Sequence, residues 1–103
     1  MYLSGDTTLT SYVDNGTIIS ISCGNLKILS DIGNNVKINA SHKLQICGNV
    51  GTNCFLHAID YIEAHNICDC TQLTSDIGKI FCHELGDNVV ITAQKTVTLV
   101  IFL

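Results

Sequence analysis

Cys47, His65 and His83 stand 18 residues apart, and each directly follows an apolar residue: Ile46, Ala64 and Cys82. Thiolate and imidazole are the ligands zinc prefers, so a fold that gathered these positions would hold the elements of a metal site. His65-x-x-Cys68 sets a further thiol nearby, and Cys68 and Cys70 flank Asp69 in a CDC tripeptide suited to redox or metal chemistry. Against this, a closed zinc site needs tetrahedral geometry with outer hydrogen bonds, which a straight ladder of side chains supplies poorly. The acids read as structural. Asp6, Asp14, Asp31, Asp60, Asp69, Asp76 and Asp87 cluster at breaks, where Asp serves the backbone, and Glu63 and Glu84 face outward on strands. No carboxylate pair has the fixed separation that acid–base work needs, and no nucleophile-elbow sequence occurs.

The elements that position these residues are repeats. "IGNNVKINA" at 32–40, "VGTNCFLHA" at 50–58 and "LGDNVVITA" at 85–93 are near copies, and "VDNGTIISI" at 13–21 and "ICDCTQLTS" at 67–75 are weaker ones. They begin at Val13, Ile32, Val50, Ile67 and Leu85, in steps of 19, 18, 17 and 18. A simpler element falls between them: Leu26-x-Ile28, Leu44-x-Ile46, Ile62-x-Ala64, Ile80-x-Cys82 and Val97-x-Leu99, in steps of 18, 18, 18 and 17. Two separate columns with one period establish a repeat architecture.

Alternation with period two inside each copy is a strand signal, and no 3.6-residue pattern is sustained anywhere. A repeat of about 18 residues cannot bury its own apolar face, but stacked coils can. The chain is therefore expected to be all-β: a single-stranded parallel β-helix (β-solenoid) of about five coils, each a narrow three-sided prism, some 24 Å tall at about 4.8 Å per coil. Residues 1–103 form one domain, with coils at 7–23, 24–41, 42–59, 60–77 and 78–95 and a terminal strand at 96–103. The inward columns read Thr17/Val36/Cys54/Thr71/Val89, Ile19/Ile38/Leu56/Leu73/Ile91 and Ile21/Ala40/Ala58/Ser75/Ala93, so large stacks on large and small on small. Cys54 and Cys82 are then core filler. Asn35, Asn53 and Asn88 share a turn position with Gly16 and Cys70, where Asn tolerates a left-handed backbone and stacked amides can bond coil to coil. Gly33, Gly51 and Gly86 precede it as turn residues; a phosphate-cradling loop would need a helix after the glycines.

Composition narrows the function. Only 14% of residues are charged and the net charge is −4, a poor match for nucleic acid or anionic lipid. No secretory signal opens the sequence, and the longest apolar run, "LVIFL", is too short to span a bilayer. Reduced thiols in a cytosol-like, cytoplasmic setting are expected rather than a disulfide framework.

"GNVGTNCFLHAIDYIEA" (48–64) and "GNNVKINASHKLQI" (33–46) resemble coils of bactofilins and of the flagellar-assembly-protein-A type of β-helix, and filamentous-haemagglutinin repeats are similar. The resemblance covers roughly residues 7–103 and rests on coil geometry. It implies a cytosolic, right-handed solenoid that polymerises end to end without a nucleotide, and it carries over no catalytic residue. "IGNNVK", "VGTNCF" and "LGDNVV" also look like the hexapeptide of left-handed acyltransferases, whose coil is likewise 18 residues. That pattern fails on the other two sides, where Ser30, Gly48 and Asn66 make a poor series for its small position, and neither His57 nor His83 lies in a recognisable motif for its base.

A solenoid has two open ends, and bare strand edges recruit more strands. The polar N-terminal segment suits a partial cap. The C-terminal "TVTLVIFL" does not: Val97 and Leu99 continue an inward column, while Val100, Ile101, Phe102 and Leu103 are apolar on both faces. Pairing with another protomer, folding back over the last coil, or a longer parent solenoid would each account for it, and the first is the reading adopted. The expectation is a non-catalytic scaffold that self-associates through Val97, Leu99, Val100, Ile101, Phe102 and Leu103 into a homo-oligomer or polymer. No cofactor, metal ligand, small-molecule substrate, nucleic acid or membrane span is expected. A binding module using a flat solenoid face, such as an effector or adhesin fragment, is the alternative, followed by the acyltransferase.

Overall fold

A computed structural model describes residues 1–95 and 97–99. Fourteen short strands follow one another: β1 (Tyr2–Ser4), β2 (Thr7–Leu9), β3 (Ile18–Ser22), β4 (Leu26–Ile28), β5 (Lys37–Ala40), β6 (Lys43–Ile46), β7 (Phe55–Ala58), β8 (Tyr61–Glu63), β9 (Asn66–Ile67), β10 (Gln72–Ser75), β11 (Lys79–Cys82), β12 (Glu84–Leu85), β13 (Val90–Ala93) and β14 (Val97–Leu99). They stack into two six-stranded parallel sheets, ordered β1-β3-β5-β7-β10-β13 and β14-β11-β8-β6-β4-β2, with a narrow third side made by β9 and β12. This is the β-solenoid of about five coils that the 18-residue period requires.

Register follows the sequence columns. Ile19 pairs with Ile38, Ile38 with Leu56, Leu56 with Leu73 and Leu73 with Ile91. On the second sheet Leu26, Leu44, Ile62, Ile80 and Val97 lie one above another. The repeat starts form the third ladder: Val13, Ile32, Val50 and Ile67 join through single bridges, and Ile67 pairs with Leu85. Parallel stacking with period two sends every second residue inward, and Ile38, Leu44, Ile46, Leu56, Ile62, Leu73 and Ile80 are all at most 2% exposed. Cys54 and Cys82 are completely buried among them. Thr71, in the column of Val36 and Cys54, satisfies its hydroxyl by donating to the Gly51 carbonyl (2.9 Å) and accepting from the Cys54 N–H (3.2 Å).

The corners are built from Asn, Asp and Gly as their positions demand. Gly16, Asn35, Asn53, Cys70 and Asn88 have φ of 77°, 58°, 56°, 61° and 58°, the left-handed region that Gly and Asn enter most easily. The Asn53 amide donates to Asn35 Oδ1 at 2.8 Å, a coil-to-coil amide ladder. Side-chain oxygens also cap the next coil's backbone: Asp6 accepts from the Asn25 N–H (2.8 Å), Asp31 from Asn49 (2.7 Å) and Asp69 from Asp87 (2.8 Å). Asn15, Asn34 and Asn25 do the same for Asn34, Thr52 and Lys43. Glycine before the turn is a matter of close approach: a methyl on Gly51 would meet the Gly33 carbonyl of the coil before it.

One segment behaves differently from its expected capping role. Tyr2–Ser4 pairs in parallel with β3, setting Leu3 on Ile21, and Thr7–Leu9 pairs with β4, setting Leu9 on Ile28. Residues 1–9 thus add a rung to both large sheets. Strands of three residues, with Leu3 alone inward on β1 and Thr7 and Leu9 inward on β2, carry almost no periodic signal.

Candidate interaction surfaces

The solenoid offers two coil ends, the outer sheet faces, and the corners. Each expected site residue among the described ones falls on one of them.

At the C-terminal end, β14 pairs with β11, with Val97 opposite Ile80 and Leu99 opposite Cys82. No further strand lies beyond β13 or β14 among the described residues, so the core columns end in Val89, Ile91 and Ala93, which are only partly buried, and in Val97, which is 45% exposed. Val100, Ile101, Phe102 and Leu103 lie outside the described residues. At the other end β1 and β2 are the outermost strands of the same two sheets, and Leu3 and Leu9 pack against the core from above. Among the described residues, both ends therefore present parallel strands with free edge N–H and C=O groups.

Of the Cys47–His65–His83 column, His65 and His83 are adjacent, and the His83 N–H donates to the His65 carbonyl at 3.0 Å. The His65 and His83 rings stack with centroids 4.7 Å apart and planes within 3°, and Phe81 meets His83 edge-on at 5.5 Å. Parallel rings at this distance direct their nitrogen lone pairs side by side instead of toward a shared point, which is poor geometry for one zinc ion. Among the described residues, no group of three or more His, Cys, Asp or Glu side chains is placed to hold a metal. Cys68 and Cys70 are exposed at their corner, as their place in the turn implies, and Cys23 and Cys47 are exposed too. Burial pushes the thiols of Cys54 and Cys82 above the ordinary cysteine range and so keeps them neutral.

The two large outer faces differ in chemistry. The face of β4, β6, β8 and β11 carries Lys27, Lys43 and Lys79, with Glu63 held by the Gln45 amide (2.6 Å) and the Tyr61 hydroxyl (3.2 Å). Burial, and then the neighbouring Glu63 carboxylate, pushes the Tyr61 phenol up. The face of β3, β5, β7, β10 and β13 has no Asp or Glu among its strand residues, although the chain holds nine acids. On it Ile18, Phe55 and Val90 are 59%, 48% and 53% exposed. His57 lies between Asn39, whose Oδ1 is 2.6 Å from Nδ1, and Asp76, whose carboxylate is 3.0 Å from Nε2. The sequence signal for this face is a single outward column, Ile18, Lys37, Phe55, Gln72 and Val90, in which apolar and polar residues alternate from coil to coil.

Together these features define a class, the parallel β-solenoids with a dry aliphatic interior and open coil ends. No family model matches the chain, and neither a curated protein nor a solved structure matches it.

Proposed function

We propose that this protein is a non-catalytic structural element that self-associates through its open coil ends. The observation that carries the reading is the pair of ends left open among the described residues: β1 and β2 at one, β13 and β14 at the other, each with partly covered core residues and edge backbone groups without a strand partner. Parallel sheets continue most simply when the C-terminal edge of one copy receives the N-terminal edge of the next, because strand direction is then preserved. Leu3 would stack on Ala93, and β2 would pair in register with β14, extending ladders the chain already builds. The interior supports the same reading, because fully buried aliphatic side chains fill it and any ligand must bind outside. The coil resemblance to bactofilins agrees with end-to-end assembly, and the two thiols buried as core packing suit a reducing, cytosol-like setting.

The test places lysines where the ends would meet. Thr8 and Thr98 are exposed outward positions of one column, on the first and last strands of the second sheet. In a head-to-tail contact they would lie about one coil spacing apart. Thr8→Lys with Thr98→Lys should leave the fold intact and abolish filaments or end-joined oligomers in light scattering and electron microscopy. Wild-type protein that shows no end-joined species at high concentration, or a double variant that still forms them, overturns the proposal.

A further inference from the structure

The outer face of the first sheet, where no residue of β3, β5, β7, β10 or β13 is Asp or Glu, is the most distinctive surface outside the coil ends. Its outermost column reads, coil by coil, Ile18, Lys37, Phe55, Gln72 and Val90. Apolar and polar residues alternate, and the order is palindromic in kind about Phe55. Three large apolar side chains stand about half exposed at every second coil, roughly 9.6 Å apart. A shallow depression of about 350 Å³ lies between Ile18 and Phe55, over the Lys37 row. The Lys37 ammonium sits 6.0 Å from the Phe55 ring centroid.

We infer that this face pairs with the same face of a second copy, the two solenoids running antiparallel about a twofold axis that passes along the Phe55 row. A closed dimer needs a self-complementary patch, in which residue i meets j and j meets i. With the axis along the strand direction, Phe55 meets Phe55, Ile18 meets Val90 of the second copy, and Lys37 meets its Gln72. Every apolar residue of the column then covers an apolar one, and no lysine opposes a lysine. Val90 and Gln72 of the second copy enter the depression between Ile18 and Phe55.

The other twofold arrangement, with solenoids parallel, sets this column against the neighbouring one. Phe55 would then face His57, Ile18 would face Ser20 and Val90 would face Thr92, so each apolar side chain would meet a polar one. Charge permits self-pairing: no strand residue of the face is Asp or Glu, and the neighbouring Asp76 carboxylate is held against His57 of its own chain. His57 fits as well, because both ring nitrogens are already engaged by Asn39 and Asp76 within the chain.

The face is small. Five coils at about 4.8 Å by four residues at about 3.3 Å give roughly 300 Å² of projected surface per copy. That is below the ~800 Å² per partner of standard interfaces, so the dimer is weak and concentration-dependent. It does not use the coil ends, and the two associations can be separated.

In the Thr8→Lys/Thr98→Lys background, sedimentation velocity from low micromolar to millimolar protein should show a monomer–dimer equilibrium. Phe55→Lys should weaken it more than tenfold, and Val90→Lys should act in the same direction through a separate exposed site. Benzoylphenylalanine in place of Gln72 should cross-link, on irradiation, to residues around Lys37 of the second copy. A monomer throughout the range overturns the inference, as do cross-links to the neighbourhood of Gln72 and Thr74, or lysine variants that dimerise like their parent. An added soluble oligosaccharide or peptide that occupies the face of a strictly monomeric protein would also overturn it. If end-joined species vanish in the background variant while the dimer persists, both proposals stand. If the dimer alone is missing, only this one fails.

Discussion

Replacing Leu56 by Ala and, separately, its neighbour Phe55 by Ala tests the register on which every column depends. Leu56 is 1% exposed and stacked between Ile38 and Leu73. The substitution removes three carbons, about 2.4 kcal/mol at ~0.8 kcal/mol per buried methylene. The parallel ladders on either side hold the strands at fixed spacing, so the site collapses little. A residual cavity of some 60 Å³ at about 24 cal/mol per Å³ adds about 1.5 kcal/mol. The expected loss is therefore about 4 kcal/mol, a large share of the roughly 5–15 kcal/mol available to a chain of 103 residues. Phe55, one residue earlier, points outward and is 48% exposed. Its truncation should cost about 1 kcal/mol, although Phe is the larger side chain. Urea unfolding followed by far-UV circular dichroism at low micromolar protein measures both. A register shifted by one residue would exchange the two values, because side chains alternate across a strand. Equal losses, or a larger loss at Phe55, would refute the columns.

Ser75 occupies a buried column whose other members are Ile21, Ala40, Ala58 and Ala93, and its hydroxyl has no hydrogen-bond partner among the described residues. Ser75→Ala should therefore raise stability by about 1 kcal/mol in the same urea assay, because an orphaned polar group is removed. Gly78→Ala should lower it by more than about 2 kcal/mol, since the new methyl would collide with the Asp60 backbone carbonyl and one coil would have to shift. Burial raises the thiol pKa of Cys54 and Cys82 above the ordinary 9.0. The unfolded chain then releases those protons first, so stability is complete below about pH 9 and falls as pH rises toward the folded-state values. Urea midpoints measured across that range should show the decline, and Cys54→Ala with Cys82→Ala should flatten it. A thiol-reactive dye should label Cys23, Cys47, Cys68 and Cys70 in the native protein and reach Cys54 and Cys82 only on unfolding.

The period and the inward columns were legible because a solenoid turns long-range contacts into a fixed offset. Once residues about 18 apart are neighbours, the pairing of Ile38 with Leu56 or of Leu44 with Ile62 is implied by spacing alone. The turn position was legible for the same reason: Asn35, Asn53 and Asn88 report a local backbone need that Gly16 and Cys70 share. The strand before the expected first coil was not, because Leu3 is a single inward side chain without periodic company. Corner acids could be assigned to turns, but not to capping the next coil, which depends on how closely Asp31 approaches the Asn49 N–H.

The sequence by itself thus determined the all-β solenoid, its repeat and its core, since these follow from which residues recur at one interval. Only the tertiary structure decided what the outside offers. It showed that His65 and His83 stack as parallel rings and do not converge, that Asp76 reaches His57 diagonally across coils, and that Ile18, Phe55 and Val90 stand exposed on one face. The physical reason is that an interval fixes which backbones are adjacent, whereas surface chemistry depends on side-chain direction and on distances of a few ångströms, to which the repeat is indifferent.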